Sequence, residues 1–137
     1  MNRFVLDTSV ALAWCFEDEH SAQADRILDL LASATAMVPA IWPIEVGNAL
    51  LAAERRRRIT PAGVSSSLRL LGSLRIRIDD AGPSLNSEEL VVLARSQSLS
   101  VYDAVFLRLA MREGIPLATL DRSLARAARR AGVSVLW

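Results

Sequence analysis

At 137 residues, just over half of them hydrophobic, the chain has the size of one domain and enough apolar mass for a sizeable core. Its formal net charge is only +1, which lacks the global basic character of many strong nucleic-acid binders, and no stretch reaches the roughly 18 apolar residues of a membrane span. All 16 basic residues are Arg, so a P-loop lysine, a Schiff-base lysine and a lysine beside a phosphorylated aspartate are all excluded.

Met1 to Asp7 reads as an apolar strand that runs into a carboxylate, too short an apolar run for a secretory signal. The expectation is a cytoplasmic protein with no membrane partner. Ser9 to Phe16 looks helical and carries the only cysteine, Cys15, between Trp14 and Phe16 as a buried thiol would be. One cysteine permits no internal disulfide and makes a Cys-based zinc site unattractive. The only histidine, His20, follows Glu17-Asp18-Glu19 and reads as a surface residue, which argues against Ser-His-Asp or Cys-His hydrolysis.

Ser21 to Ala34 has the period of an amphipathic helix, with Ile27, Leu28, Leu30 and Leu31 on its apolar side. Thr35 to Val38 is a short strand stopped by Pro39. A helix then opens near Trp42-Pro43 and runs through Glu45 to the Arg55–Arg58 block. Thr60-Pro61 caps another helix to about Gly72, and Arg75 to Ile78 alternates as an edge strand does. Ser84 to Ser96 is predicted helical with Leu90, Val91, Leu93 and Ala94 inward. Ser100 to Asp103 fits a capping box opening a helix to Glu113, which Gly114 ends. Ile115 to Leu120 is an apolar strand, Asp121 caps a helix from Arg122 to Ala131 closed by Gly132, and Val133 to Trp137 is a last strand. Strands alternating with helices predict one α/β domain over residues 1–137, a three-layer α/β/α arrangement around a short, mostly parallel sheet.

In such a sheet, ligands gather beyond the carboxyl ends of the strands. Asp7 and Asp121 follow two of these strands, while Glu45 and Asp103 lie in the first turns of helices. Each alone reads equally as a helix cap or as a charge matched to the helix dipole. Together they would repel one another unless a cation neutralised them. An all-oxygen site of this kind suits Mg²⁺ or Mn²⁺, and such an ion can activate water against a phosphodiester.

Val5-Leu6-Asp7-Thr8-Ser9, Glu45-Val46-Gly47-Asn48-Ala49-Leu50, Tyr102-Asp103-Ala104 and Thr119-Leu120-Asp121 resemble, in order, the four motifs of PIN-domain ribonucleases, with VapC-type toxins of toxin–antitoxin pairs as the nearest likeness. The resemblance covers essentially the whole chain. It implies a PIN-like nuclease domain that is a Mg²⁺-dependent endoribonuclease, Mn²⁺ able to substitute. It implies Asp7 and Asp103 as main metal ligands, completed by Glu45 and Asp121. Thr8, Ser9 and Thr119 would orient carboxylates, and Asn48, one turn beyond Glu45, could do the same. It further implies an RNA substrate, a VapB-like antitoxin partner over a groove formed by the helices at 21–34 and 42–53, and a homodimer.

Arg108 and Arg112, one turn apart on the Asp103 helix, are candidates for RNA contact. The Arg55–Arg58 block reads more plainly as a solvated helix end than as a phosphate site, and Arg122, Arg126, Arg129 and Arg130 as a solvent face. Trp14, Trp42 and Trp137 suit packing better than base stacking. The competing readings are a housekeeping PIN-type nuclease, a receiver- or phosphatase-like domain, which the missing lysine disfavours, and a non-catalytic interaction module, which the intact acidic set disfavours.

Overall fold

The computed structural model describes residues 2–80 and 86–136. The sheet has five strands: β1 (Arg3–Leu6), β2 (Thr35–Val38), β3 (Ile76–Ile78), β4 (Leu117–Ala118) and β5 (Val135–Leu136). Their order is β3-β2-β1-β4-β5, and every pairing is parallel. β1 is therefore central, and Phe4, Val5 and Leu6 are fully buried. That burial on both faces explains why β1 reads as a continuous apolar run instead of an alternation. β3 is the edge strand that its alternating sequence predicts.

The helices are α1 (Thr8–Cys15), α2 (Ala22–Leu30), α3 (Trp42–Arg55), α4 (Pro61–Ser73), α5 (Ser87–Gln97), α6 (Val101–Glu113) and α7 (Arg122–Arg130), with a short 3₁₀ turn at Glu17–Glu19. Right-handed crossovers in this strand order put α1 to α4 on one face and α5 to α7 on the other, giving the three-layer α/β/α fold. Side-chain oxygens of Ser21, Thr60, Asn86, Ser100 and Asp121 accept from the first-turn amides of their helices. Gly114 (φ 63°) and Gly132 (φ 79°) take the left-handed turns that stop α6 and lead out of α7. Phe4 and Phe106 face the core from the sheet and from α6; burying each is worth about 1.5–3 kcal/mol.

Several boundaries differ from the sequence reading. α2 stops at Leu30, and Leu31–Ser33 form a turn before β2. The ladder of β4 takes only Leu117 and Ala118 from the predicted 115–120 strand, because the chain bends away to form the Thr119–Asp121 turn. Val91 is 39% exposed, since α5 packs through Leu90 and Ala94 instead. Ser84, at the start of the predicted α5, and Trp137 lie outside the described residues. Among the described residues no single helix is long and apolar enough to cross a membrane.

Candidate functional site

The chain leaves the sheet toward β2 from one side of β1 and returns on the other side as β4, so the topological switch falls between β1 and β4. Asp7 follows β1 directly, and its amide donates to the Ala118 carbonyl of β4 (2.9 Å). Immediately beyond Ala118 the same crevice receives the Thr119–Asp121 segment. This is where doubly wound sheets place ligands.

Asp7 occupies the N-cap position of α1, yet its side chain makes no capping hydrogen bond. Its carboxylate, only 5% exposed, instead accepts the Ser9 hydroxyl (2.6 Å) and the Thr119 hydroxyl (2.8 Å), both on Oδ2. The proton inventory is closed. Ser9 Oγ accepts from the Leu120 amide (3.0 Å) and Thr119 Oγ1 from the Asp121 amide (3.0 Å), so each hydroxyl spends its single proton on Asp7. The 3.4 Å approach of Ser9 to Thr119 is then a contact between two oxygens whose protons point elsewhere. Oδ2 is thereby occupied, which leaves Oδ1 without a side-chain hydrogen bond among the described residues.

Glu45 enters from the first turn of α3 and accepts the Thr8 hydroxyl at Oε1 (2.8 Å). Asp103 enters from the first turn of α6, where its amide is capped by Ser100 Oγ (3.0 Å). Asp121 caps α7 through Oδ1, which accepts the Leu124 amide (3.1 Å). The helix-cap reading therefore holds for Asp121, while Asp7 departs from it.

The four acids share one electrostatic environment. The Asp103 carboxyl is pushed up to about 6, first by partial burial and then by the charges of Asp7, Asp121 and Glu45, against a smaller opposing pull from Ser100. Burial raises Asp7 above the usual aspartate range; the hydroxyls of Ser9 and Thr119 and the Ser9 amide pull it back, and Asp121 adds to the rise. Glu45 is raised by burial and by Asp7, against the lowering effect of Thr8. A hard divalent cation fits this donor set, since the donors are all oxygen and the like charges lack a counter-charge. Among the described residues, however, no three His, Cys, Asp or Glu side chains already form a ready ligand set.

Thr8, Ser9 and Thr119 thus reach carboxylates as the sequence predicts, whereas Asn48 does not. It is exposed on α3, and no hydrogen bond ties it to Glu45 or to another described residue. Arg108 and Arg112, the candidates for RNA contact, each pair with carboxylates in the free chain. Arg108 binds Glu89 on α5 (2.7 Å), and Arg112 binds Asp79 (2.9 Å) and Glu113 (3.3 Å). Arg58 likewise is spent on Asp18 (2.8 Å) and Glu19 (2.7 Å) and lies 4.1 Å from the Phe16 ring centre. Sequence reasoning passed over Asp79, whose pairing with Arg112 helps hold the helix that carries Asp103. An Asp after an edge strand carries no local signal of its distant partner.

Trp14 and Trp42 pack with the core; the Trp14 indole donates to the Ala24 carbonyl (2.8 Å), and the buried Trp42 indole nitrogen has no partner among the described residues. Cys15 is half-buried beside Ser67, and burial pushes its thiol up. His20 is exposed and 3.0 Å from Asp25.

No curated protein sequence matches the chain. Its backbone is similar to a protein of Pyrobaculum aerophilum, PAE2754, at 24% identity with a TM-score of 0.70, covering 98% of this chain and 83% of that one. It is also similar to VapBC2 of Rickettsia felis, in a structure bound to a DNA fragment from their promoter, at 18% identity with a TM-score of 0.69, covering 97% and 96%. The PIN domain family matches residues 4–130, from the first strand through the last helix, and the chain belongs to that family.

Proposed function

We propose that the chain is a Mg²⁺-dependent endoribonuclease and the toxin of a VapBC-type toxin–antitoxin pair. The observation that carries the nuclease reading is the gathering of Asp7, Glu45, Asp103 and Asp121 at the strand and helix ends around one crevice, where burial and the charges of Asp7, Asp121 and Glu45 push the Asp103 carboxyl up to about 6. Proteins keep such a cluster where a cation is to be bound. Membership of the PIN family and the likeness to VapBC2 support the reading.

When bound, the ion supplies a water of lowered pKa and offsets charge on the scissile phosphate. Asp7 and Asp103 would hold it, Asp7 through Oδ1, with Glu45 and Asp121 completing the set. Ser9 from α1 and Thr119 from the end of β4 keep Asp7 an acceptor and fix its rotamer. Thr8 does the same for Glu45.

The antitoxin would cover the apolar surface beside the site. Ile44 (69% exposed) and Leu51 on α3, with Leu68 and Leu70 on α4, offer that surface. The exposed large hydrophobic residues lie on α3 and α4 and none on α2, so this reading sets the antitoxin against α3 and α4 in place of the expected groove between α2 and α3. Exposed Val91, Val92, Val101 and Tyr102 on α5 and α6 would serve a second copy in a homodimer.

The test is RNA cleavage by the purified, partner-free chain with Mg²⁺, with Mn²⁺ and with chelator. Cleavage that needs the ion and disappears in Asp7→Asn and Asp103→Asn is expected. A parent protein that leaves RNA intact, or an Asp7→Asn variant as active as the parent, sinks the reading. Growth arrest on expression, relieved by a small neighbouring reading frame, tests the toxin assignment.

A further inference from the structure

Beside the carboxylates lies a groove of about 360 Å³ formed by Glu19, Ser21, Gln23, Leu120 and Arg122. Its size falls within the range of small-ligand sites. It adjoins the acidic crevice directly, since Leu120 and Arg122 flank Asp121 and the Leu120 amide is bonded to Ser9. We propose that this groove is the subsite that seats one nucleotide of a single-stranded RNA next to the scissile phosphate, an inference that rests on the proposed nuclease function.

Four observations carry it. Arg122 is exposed and has no ion-pair or hydrogen-bond partner among the described residues, while Arg3, Arg58, Arg108 and Arg112 are each bound to a carboxylate. A cation in the first turn of α7 opposes the helix dipole, so its place there is not explained by helix stability. Glu19 would repel an anion if its charge stood alone, but Arg58 holds it at 2.7 Å. The remaining lining suits a nucleotide. Half-buried Leu120 offers an apolar surface for a base face, and exposed Gln23 offers an amide for a base edge. Ser21 Oγ accepts from the Ala24 amide, which leaves its proton for an acceptor in the groove. Arg122 would hold the phosphate and Gln23 would discriminate the base.

The experiment measures binding of a single-stranded RNA oligonucleotide by fluorescence anisotropy at two salt concentrations, with chelator present so that no metal-activated water can cut it. It compares the parent with Arg122→Ala, Arg122→Lys and Gln23→Ala, each checked for an unchanged melting curve. Arg122→Ala should bind about fivefold more weakly across all sequences and flatten the salt dependence by about one ion, with Arg122→Lys recovering part of the loss. Gln23→Ala should change the preferred base with little change in mean affinity. In cleavage, Arg122→Ala should raise KM and leave kcat near the parent value. Parent-like affinity and salt slope in Arg122→Ala, with a parent that cleaves RNA, overturns the subsite and leaves the nuclease reading standing. A parent that neither binds nor cleaves RNA overturns both.

Discussion

Thr119 donates its hydroxyl proton to the Asp7 carboxylate across 2.8 Å and accepts the Asp121 amide at 3.0 Å, joining two acids 114 positions apart in sequence through one buried side chain. Thr119 is fully buried and Asp7 is 5% exposed, so the carboxylate has little water to turn to if the hydroxyl is lost. Thr119→Val keeps the shape, leaves Asp7 one donor short and orphans the Asp121 amide. The expected cost is about 2–4 kcal/mol, read as a lower urea midpoint at unchanged m-value, while Thr119→Ser costs far less. Equal midpoints for the Val and Ser variants would show that the hydroxyl does not bridge the two turns.

How much of this was visible in the sequence follows from range. Helix caps at Thr60, Ser100 and Asp121 are set by residues three positions apart, and the structure has all three. The strand ends that carry Asp7 and Asp121 were legible for the same reason, as short apolar runs broken by a carboxylate. Asp7 was legible as a strand-end carboxylate but its departure from capping was not, because its partner Thr119 lies 112 residues away. The ion pairs of Arg108 and Arg112 were hidden on similar grounds. Helical spacing puts them on one face, but Glu89 and Asp79, which hold them, come from other elements. Val91 fits the apolar stripe of α5 in sequence, yet the packing angle against α6 turns it outward.

The Arg112 ion pairs give a stability prediction separate from the chemistry. Arg112 links α6 to the segment after β3, and Glu113 next to it takes Arg3 of β1 at 3.0 Å. The Asp79 side chain is only 14% exposed, so removing Arg112 takes a charged partner from a carboxylate with little access to water. Arg112→Ala should cost about 1–2 kcal/mol by urea unfolding, and Arg112→Ala with Asp79→Ala together less than the sum of the two singles. Strict additivity would show that the pair contributes nothing.

Ion binding should weaken in acid at an unusually high pH for carboxylates. Asp103 holds its proton up to about pH 6, so a cation must displace that proton below this point. The apparent Mg²⁺ affinity should be flat above about pH 7 and fall roughly tenfold per unit below 6, with proton release visible by calorimetry in two buffers of different ionisation enthalpy. Affinity unchanged between pH 7.5 and 5.5 would remove Asp103 from the ligand set.

The same repulsion makes Asp103 a liability in the metal-free protein. Its carboxyl binds a proton more tightly folded (about 6) than at its ordinary 3.8, so the folded state holds the extra proton between those values. Metal-free stability from this group is therefore full below about pH 4 and lost as pH rises through 6. Asp18 and Glu113, held low by Arg58 and by Arg3 and Arg112, act in the opposite sense but only below the ordinary carboxylate range. Asp103 is half-exposed, and solvent screening reduces its nominal contribution of about 3 kcal/mol to about 1 kcal/mol. Asp103→Asn removes the charge and keeps the backbone cap from Ser100, while giving up about 0.5 kcal/mol of favourable helix-dipole interaction. The variant should thus match or slightly exceed the parent in metal-free stability at pH 7.5 and lose that advantage at pH 4.5. Saturating Mg²⁺ should raise the melting temperature of the parent by mass action and leave the variant nearly unmoved. A variant clearly less stable than the metal-free parent at pH 7.5, or one that gains as much from Mg²⁺, would mean that the four carboxylates do not act on one another as a single site.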